Sequence, residues 1–173
     1  QHDLEKIASE NIILCHYLLN QIDAASQAAL DLKSSAMARL WQARIQLERG
    51  ESASPDLPKP EELHPWSHDF LRLIQTEAAL VGKDYARALQ LTEPRSNFYP
   101  WFWALFRVHG KWKMGVDFSS DLTELSANHE DPGLDLELAQ EYTKFIRAIL
   151  EQPQPELLQQ AKTYTSSTLG IFA

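Results

Sequence analysis

Two histidines, His64 and His68 in the stretch HPWSHDF, form the first pattern in this sequence that could do chemistry. In a helix their spacing places two imidazoles on one face, as a pair of metal ligands requires. The glutamate of the HExxH metalloenzyme pattern is absent, and no nearby cluster of Cys, His or Asp supplies an obvious third ligand, although Glu61 or Asp69 could serve. Exposed histidines in the first turn of a helix explain the pattern more simply. We therefore expect no metal site and no cofactor here.

The densest aromatic stretch is FYPWFWALFRVHGKW, residues 98–112. Consecutive rings on a helix point about 100° apart, so one face cannot bury them all. Two interpretations stay open. Neighbouring helices bury this segment around most of its circumference, or an exposed aromatic patch lines a groove for a peptide or small ligand. The second interpretation gives the candidate partner-binding residues: Trp101, Trp103, Phe106, Arg107, Lys111 and Trp112.

The same stretch carries the basic cluster Arg107, His109, Lys111 and Lys113 in an otherwise acidic chain. The sequence has 16 Lys and Arg against 24 Asp and Glu, a net charge of −8. The cluster could receive an acidic partner, with Arg107 and Lys111 giving charge selectivity. Alternatively, these are solvated residues near a helix C-terminus, where positive charge is favourable.

No other motif points to catalysis. The acidic pairs Glu61-Glu62 and Glu130-Asp131 lie in polar segments, where nothing would raise a carboxyl pKa for acid–base work. The serines lack a nucleophile elbow, and no Walker-type or GxGxxG loop is present. The sequence therefore predicts that the protein is not an enzyme.

Composition and charge narrow the class of protein further. The chain has 173 residues, 44% of them hydrophobic and 23% charged, which predicts one soluble domain with a real core. The negative charge argues against direct binding to nucleic acid or to an anionic membrane, and no apolar run is long enough to span a bilayer. The lone Cys15 excludes an internal disulfide, fits a reducing, cytoplasmic compartment, and is expected to be a small buried hydrophobe. Because Gln1 is not a natural start, we expect residues 1–173 to be one domain of a longer protein.

Helices must position these residues. Only three valines occur, and alanine, leucine, glutamine and glutamate predominate, which predicts an all-α fold. The apolar period places a first helix with Leu4, Ile7, Leu14, Leu18 and Ile22 on its buried stripe, widened by Ile12, Cys15 and Leu19. Further helices are expected at 24–32, 35–49, 65–81, 84–91, 100–109, 121–127, 132–150 and 156–167, the second of these capped by Ser34 or Ser35.

Four corners separate these helices, at Gly50, Gly82, Gly110 and Gln152-Pro153. Their separations of 32, 28 and about 42 residues lie in the range of stacked helical hairpins. At the second corner, Gly82 is expected to take the left-handed backbone that ends a helix.

The stretch KDYARAL, residues 83–89, resembles the segment between the two helices of a tetratricopeptide repeat. In that family an aspartate, an aromatic residue and a small alanine recur at these positions. From the residues alone, Asp84 is expected to cap the second helix, with Tyr85 and Ala88 packed against the first. The analogy makes Tyr85 the turn aromatic and Ala88 the small contact residue of the second helix. The first-helix signature does not match, because its tryptophan position falls on Arg72. The resemblance implies an α-solenoid of stacked antiparallel helical hairpins.

Two functions follow as expectations. The first is a non-catalytic scaffolding module that binds a protein or peptide segment in a helical groove. The alternative is the small-ligand sensing domain of a multidomain transcription regulator, because large signal-responsive activators carry tetratricopeptide-like superhelices. An enzyme that uses the two histidines and a metal is the third possibility.

Overall fold

The computed structural model describes residues 2–19, 21–32, 34–49, 56–93 and 100–127, together with positions 146, 148, 150 and 151. These residues form helices and connections without any strand, which confirms the all-α prediction. The helices in this part of the chain are α1 (His2–Leu18), α2 (Ile22–Asp31), α3 (Ala36–Glu48), α4 (His68–Val81), α5 (Tyr85–Thr92), α6 (Pro100–Met114) and α7 (Ser119–Ala127). Two 3₁₀ turns, Pro60–Glu62 and Pro65–Ser67, precede α4. Of the expected helix at 132–150 only three described positions remain, all helical, and the helix at 156–167 lies outside the described residues.

The chain divides into two compact units, Gln1–Ile74 and Gln75–Ala173. In the first unit α1 packs against α2 and α3, and α2 packs against α3. The core between them is built from two isoleucines and three alanines, whose short side chains let the helices approach closely: Ile13, Ala25, Ala29, Ala38 and Ile45. The Trp41 ring extends this core, since its centroid lies 5.2 Å from Tyr17 and 4.9 Å from Phe70.

The buried face of α1 differs from the expected one. Among the α1 residues whose burial is described, Ile13 is fully buried, whereas Ile7 and Ile12 are about half exposed and Cys15 is exposed. The prediction that Cys15 is a small buried hydrophobe is therefore wrong. Apolar residues surround much of this helix, so the apolar period alone did not distinguish the inward face from the one beside it.

In the second unit α6 packs against both α5 and α7. Gly110 was expected to be a corner, but α6 continues through it to Met114. A Cβ at Gly110 would lie 3.0 Å from the Leu89 Cδ2 atom and 3.2 Å from its Cγ atom. Because α5 approaches the backbone of α6 this closely, the glycine serves packing rather than termination.

Two helix ends share one backbone motif. At the end of α4, the Lys83 amide donates to the Leu80 carbonyl (3.0 Å) and the Asp84 amide donates to Ala79 (2.8 Å). This is the Schellman arrangement, with the left-handed residue one position before Asp84. That residue is Lys83 at φ 62°, so the prediction that Gly82 takes the left-handed conformation is wrong.

The end of α6 repeats the motif with a glycine at the left-handed position. Gly115, at φ 67°, donates to Trp112, and Val116 donates to Lys111. The N-terminal caps agree with the sequence, since Ser35 accepts from the Ala38 amide and Asp84 from the Arg87 amide. Among the described residues, no helix has both the length and the apolar character that crossing a membrane requires.

Candidate interaction surface

All six candidate partner-binding residues lie on α6, but the structure gives them different environments. Trp103 and Phe106 are buried, with 3% and 1% of their surface exposed, and their ring centroids lie 6.3 Å apart. These two rings belong to the core, as the first of the two interpretations has it. The side chain of Trp101 lies outside the described residues. Trp112 is half-buried near the C-terminal end of the helix.

Arg107 and Lys111 bind a buried carboxylate of the neighbouring helix. The Arg107 Nε atom donates to Asp121 Oδ1 (2.7 Å), and the Lys111 ammonium donates to Asp121 Oδ2 (2.6 Å). Arg107 also pairs with Glu124 at 2.8 Å. Burial alone would raise the pKa of Asp121, but the hydrogen bonds and charges of Lys111 and Arg107 outweigh it and lower that pKa. These two cations therefore join α6 to α7.

His109 is the buried member of the basic cluster, with 2% of its surface exposed. Its ring lies between Tyr85 of α5, at a centroid distance of 6.0 Å, and Trp112 at 6.3 Å. Burial, with a smaller contribution from the Lys113 charge, lowers the pKa of His109 to about 3. The imidazole is therefore neutral at physiological pH and contributes no charge to the cluster.

Lys113 and Lys83 supply the positive charge that remains. The Lys113 ammonium lies 4.2 Å from the centre of the Trp112 ring, a cation–π distance. Partial burial of this ammonium and the nearby charge of Lys83 lower the pKa of Lys113. Both lysines are exposed. We call Lys83, Tyr85, Trp112 and Lys113 the Lys83–Lys113 surface.

The two histidines that suggested a metal have other contacts. The His64 ring meets Trp66 edge-on at a centroid distance of 5.0 Å, and the His68 Nε2 atom lies 2.9 Å from the Pro60 carbonyl oxygen. Asp69, a possible third ligand, forms an ion pair with Arg72 at 2.9 Å. In the described ranges, no group of three or more His, Cys, Asp or Glu side chains could hold a metal ion.

Sequence reasoning did not select two exposed apolar features of the first unit. Trp66 is 77% exposed. It lies before the apolar period of α4 begins, and this position in the sequence could have indicated that its ring is exposed. The second feature is a row of exposed residues with helical spacing on α1, continued one residue beyond its end: Ala8, Ile12, Cys15 and Leu19. That row was indistinguishable from a core stripe without knowing which face packs against α2 and α3.

The Lys83–Lys113 surface combines two exposed cations with aromatic rings, and α5 and α6 hold those rings in place through packing around His109. Comparison with protein-family models, with curated proteins and with solved structures found no match to this chain.

Proposed function

We propose that this protein is a non-catalytic α-helical interaction module that recognises a segment of a partner protein. The observation that carries the proposal is the Lys83–Lys113 surface, where an exposed ammonium rests on a tryptophan ring beside a second lysine. Aromatic side chains with adjacent cations supply much of the binding energy at protein interfaces. Tyr85, Trp112 and Lys113 lie on helices, and Lys83 lies in the short connection before α5. Little ordering of the backbone is therefore needed when a partner binds.

The helix pattern supports a repeat architecture of the tetratricopeptide-like kind. A longer helix is followed by a shorter one in α1–α2, α4–α5 and α6–α7, across connections of three, three and four residues. The longer helices of the second and third pairs, α4 and α6, end at Val81 and Met114, an interval of 33 residues. Tetratricopeptide repeats have a period of about 34 residues. In the first unit α1 contacts α2 and α3, and α2 contacts α3, as stacking of one hairpin on the next helix would require.

Within residues 75–93 and 100–127 of the second unit, several side chains that could do chemistry have structural roles. Asp84 caps α5, and Asp117 accepts hydrogen bonds from the amide and hydroxyl of Ser119 before α7. Asp121 holds two cations, and His109 is packed between rings. These roles favour recognition over a reaction.

A selection experiment tests the proposal. Immobilised protein is panned against a phage-displayed library of random peptides of about twelve residues, and recovered peptides are then titrated in solution. We expect recovered peptides to bind with micromolar affinity and to change the tryptophan fluorescence, because Trp112 lies in the proposed contact. Enrichment no greater than on a blank surface would refute the proposal. A fluorescence response to sugars or small metabolites, without peptide enrichment, would favour the inducer-sensing alternative.

A further inference from the structure

We infer that the partner segment bound at the Lys83–Lys113 surface is acidic, with at least two neighbouring Asp or Glu side chains that pair with Lys83 and Lys113. This inference rests on the proposed function and specifies the chemistry of the partner. It also assigns Lys83, in the connection between α4 and α5, to a binding role that its sequence position did not suggest.

The first argument is the balance of charge around the two lysines. In the described part of the second unit, no carboxylate forms an ion pair with Lys83 or Lys113. Three carboxylates of this part of the chain have other partners: Asp84 caps α5, Asp121 binds Arg107 and Lys111, and Glu124 binds Arg107. Two like charges are thus left close enough for one to lower the pKa of the other. A pair of incoming carboxylates would remove this repulsion.

The second argument is the backbone of Lys83. Its φ of 62° lies in the left-handed region. Glycine adopts this conformation without steric penalty, whereas a residue with a Cβ atom pays one. The equivalent position at the end of α6 is occupied by Gly115. A lysine at this position lowers stability, and strain of this kind is characteristic of binding sites. The ammonium of Lys83 therefore has a use that glycine could not supply.

The third argument concerns distance and screening. The whole chain carries a net charge of −8, which repels an acidic segment at long range. At physiological ionic strength charges are screened over about 8 Å, so carboxylates farther away than this repel a segment bound at the two lysines only weakly. The Trp112 ring beneath the Lys113 ammonium adds apolar contact area that simple ion pairing lacks.

The library selection becomes a test when it is run on matched variants. Wild-type protein should enrich peptides with adjacent Asp or Glu residues. K83Q and K113Q should each weaken a recovered peptide about threefold, and the double variant about tenfold, because an exposed ion pair contributes this much. K59Q, which removes an exposed lysine from the first unit, is the control for net charge and should leave affinity unchanged.

A further variant separates binding from folding. K83G removes the backbone strain together with the ammonium, so we expect its melting temperature to rise by about 3 °C while peptide affinity falls as it does for K83Q. A variant that is more stable and binds less tightly cannot owe its loss of binding to misfolding.

Several outcomes would overturn the inference. Enrichment of neutral or basic peptides, or of acidic peptides whose affinity is unchanged in K83Q and K113Q, would refute it and leave the proposed function standing. Absence of any peptide enrichment would refute both. Inorganic phosphate at millimolar concentration is added to the wild-type complex; displacement of the peptide by phosphate, but not by equimolar acetate, would assign the site to a phosphate group instead.

Discussion

The buried histidine predicts how stability depends on pH. His109 has an ordinary pKa of 6.5 when the chain is unfolded, and burial lowers the pKa in the folded protein to about 3. Between these values the unfolded chain binds a proton that the folded chain does not. Stability is therefore undiminished above pH 6.5 and falls as the pH decreases toward 3, by about 1.4 kcal/mol per pH unit.

The magnitude is large enough to measure under mild conditions. A pH of about 5 lies 1.5 units below the ordinary pKa of histidine, so the imidazole of the unfolded chain is protonated there. His109 therefore lowers the free energy of unfolding at this pH by about 2 kcal/mol relative to pH 7.5. The assay is urea unfolding, followed by tryptophan fluorescence, at several pH values in this interval. The wild type is compared with H109Q, which cannot titrate here, and with H64Q, whose parent histidine is exposed.

The readout is the slope of stability against pH, so a constant cost of the substitution does not affect the result. We expect the free energy of unfolding of H109Q to change with pH by about 2 kcal/mol less than that of the wild type over this interval. The pH dependence of H64Q should parallel that of the wild type. Parallel curves for the wild type and H109Q would mean that His109 titrates normally in the folded protein. The assignment of the ring to a dry position between Tyr85 and Trp112 would then be wrong.

Three further predictions concern the second unit. D121N should destabilise by about 2 kcal/mol because it leaves two cations without their shared carboxylate, whereas E124Q, at a half-exposed partner, should cost about 0.5 kcal/mol or less in urea unfolding. The difference in free energy of unfolding between D121N and the wild type should have its full size above the ordinary Asp pKa of 3.8. It should disappear as the pH falls through the lowered pKa of Asp121. G110V should lower the free energy of unfolding by about 2–3 kcal/mol because its side chain must displace Leu89. G82A should change that free energy by no more than about 0.5 kcal/mol. Equal effects of the two glycine substitutions would contradict the close approach of α5 to α6.

Local sequence rules predicted the helix starts well, and the reason is chemical. A cap such as Ser35 or Asp84 accepts from an amide three residues later, so the signal and its structural consequence lie within one turn. The all-α class followed from composition for a similar reason, since helix propensity is a property of each residue. Neither inference needed knowledge of which helices meet.

The errors all involve information that is not local. Gly110 has the composition of a helix terminator, but its role is set by Leu89 on another helix. Cys15 and Ile13 are both apolar residues on α1, and only the position of α2 and α3 decides that Ile13 is buried. Likewise, neither interpretation of Arg107, a partner contact or a solvated residue, included its ion pair with Asp121, which stands fourteen positions away, beyond any helical spacing.

The candidate site shows how these two kinds of information combine. Gly82 marks the end of α4 in the sequence, yet the left-handed residue is the lysine after it. A glycine at position 83 would have made this corner a simple helix stop like the one at Gly115. With lysine there, the corner accepts backbone strain, and the proposed binding role of Lys83 accounts for this departure from the local rule.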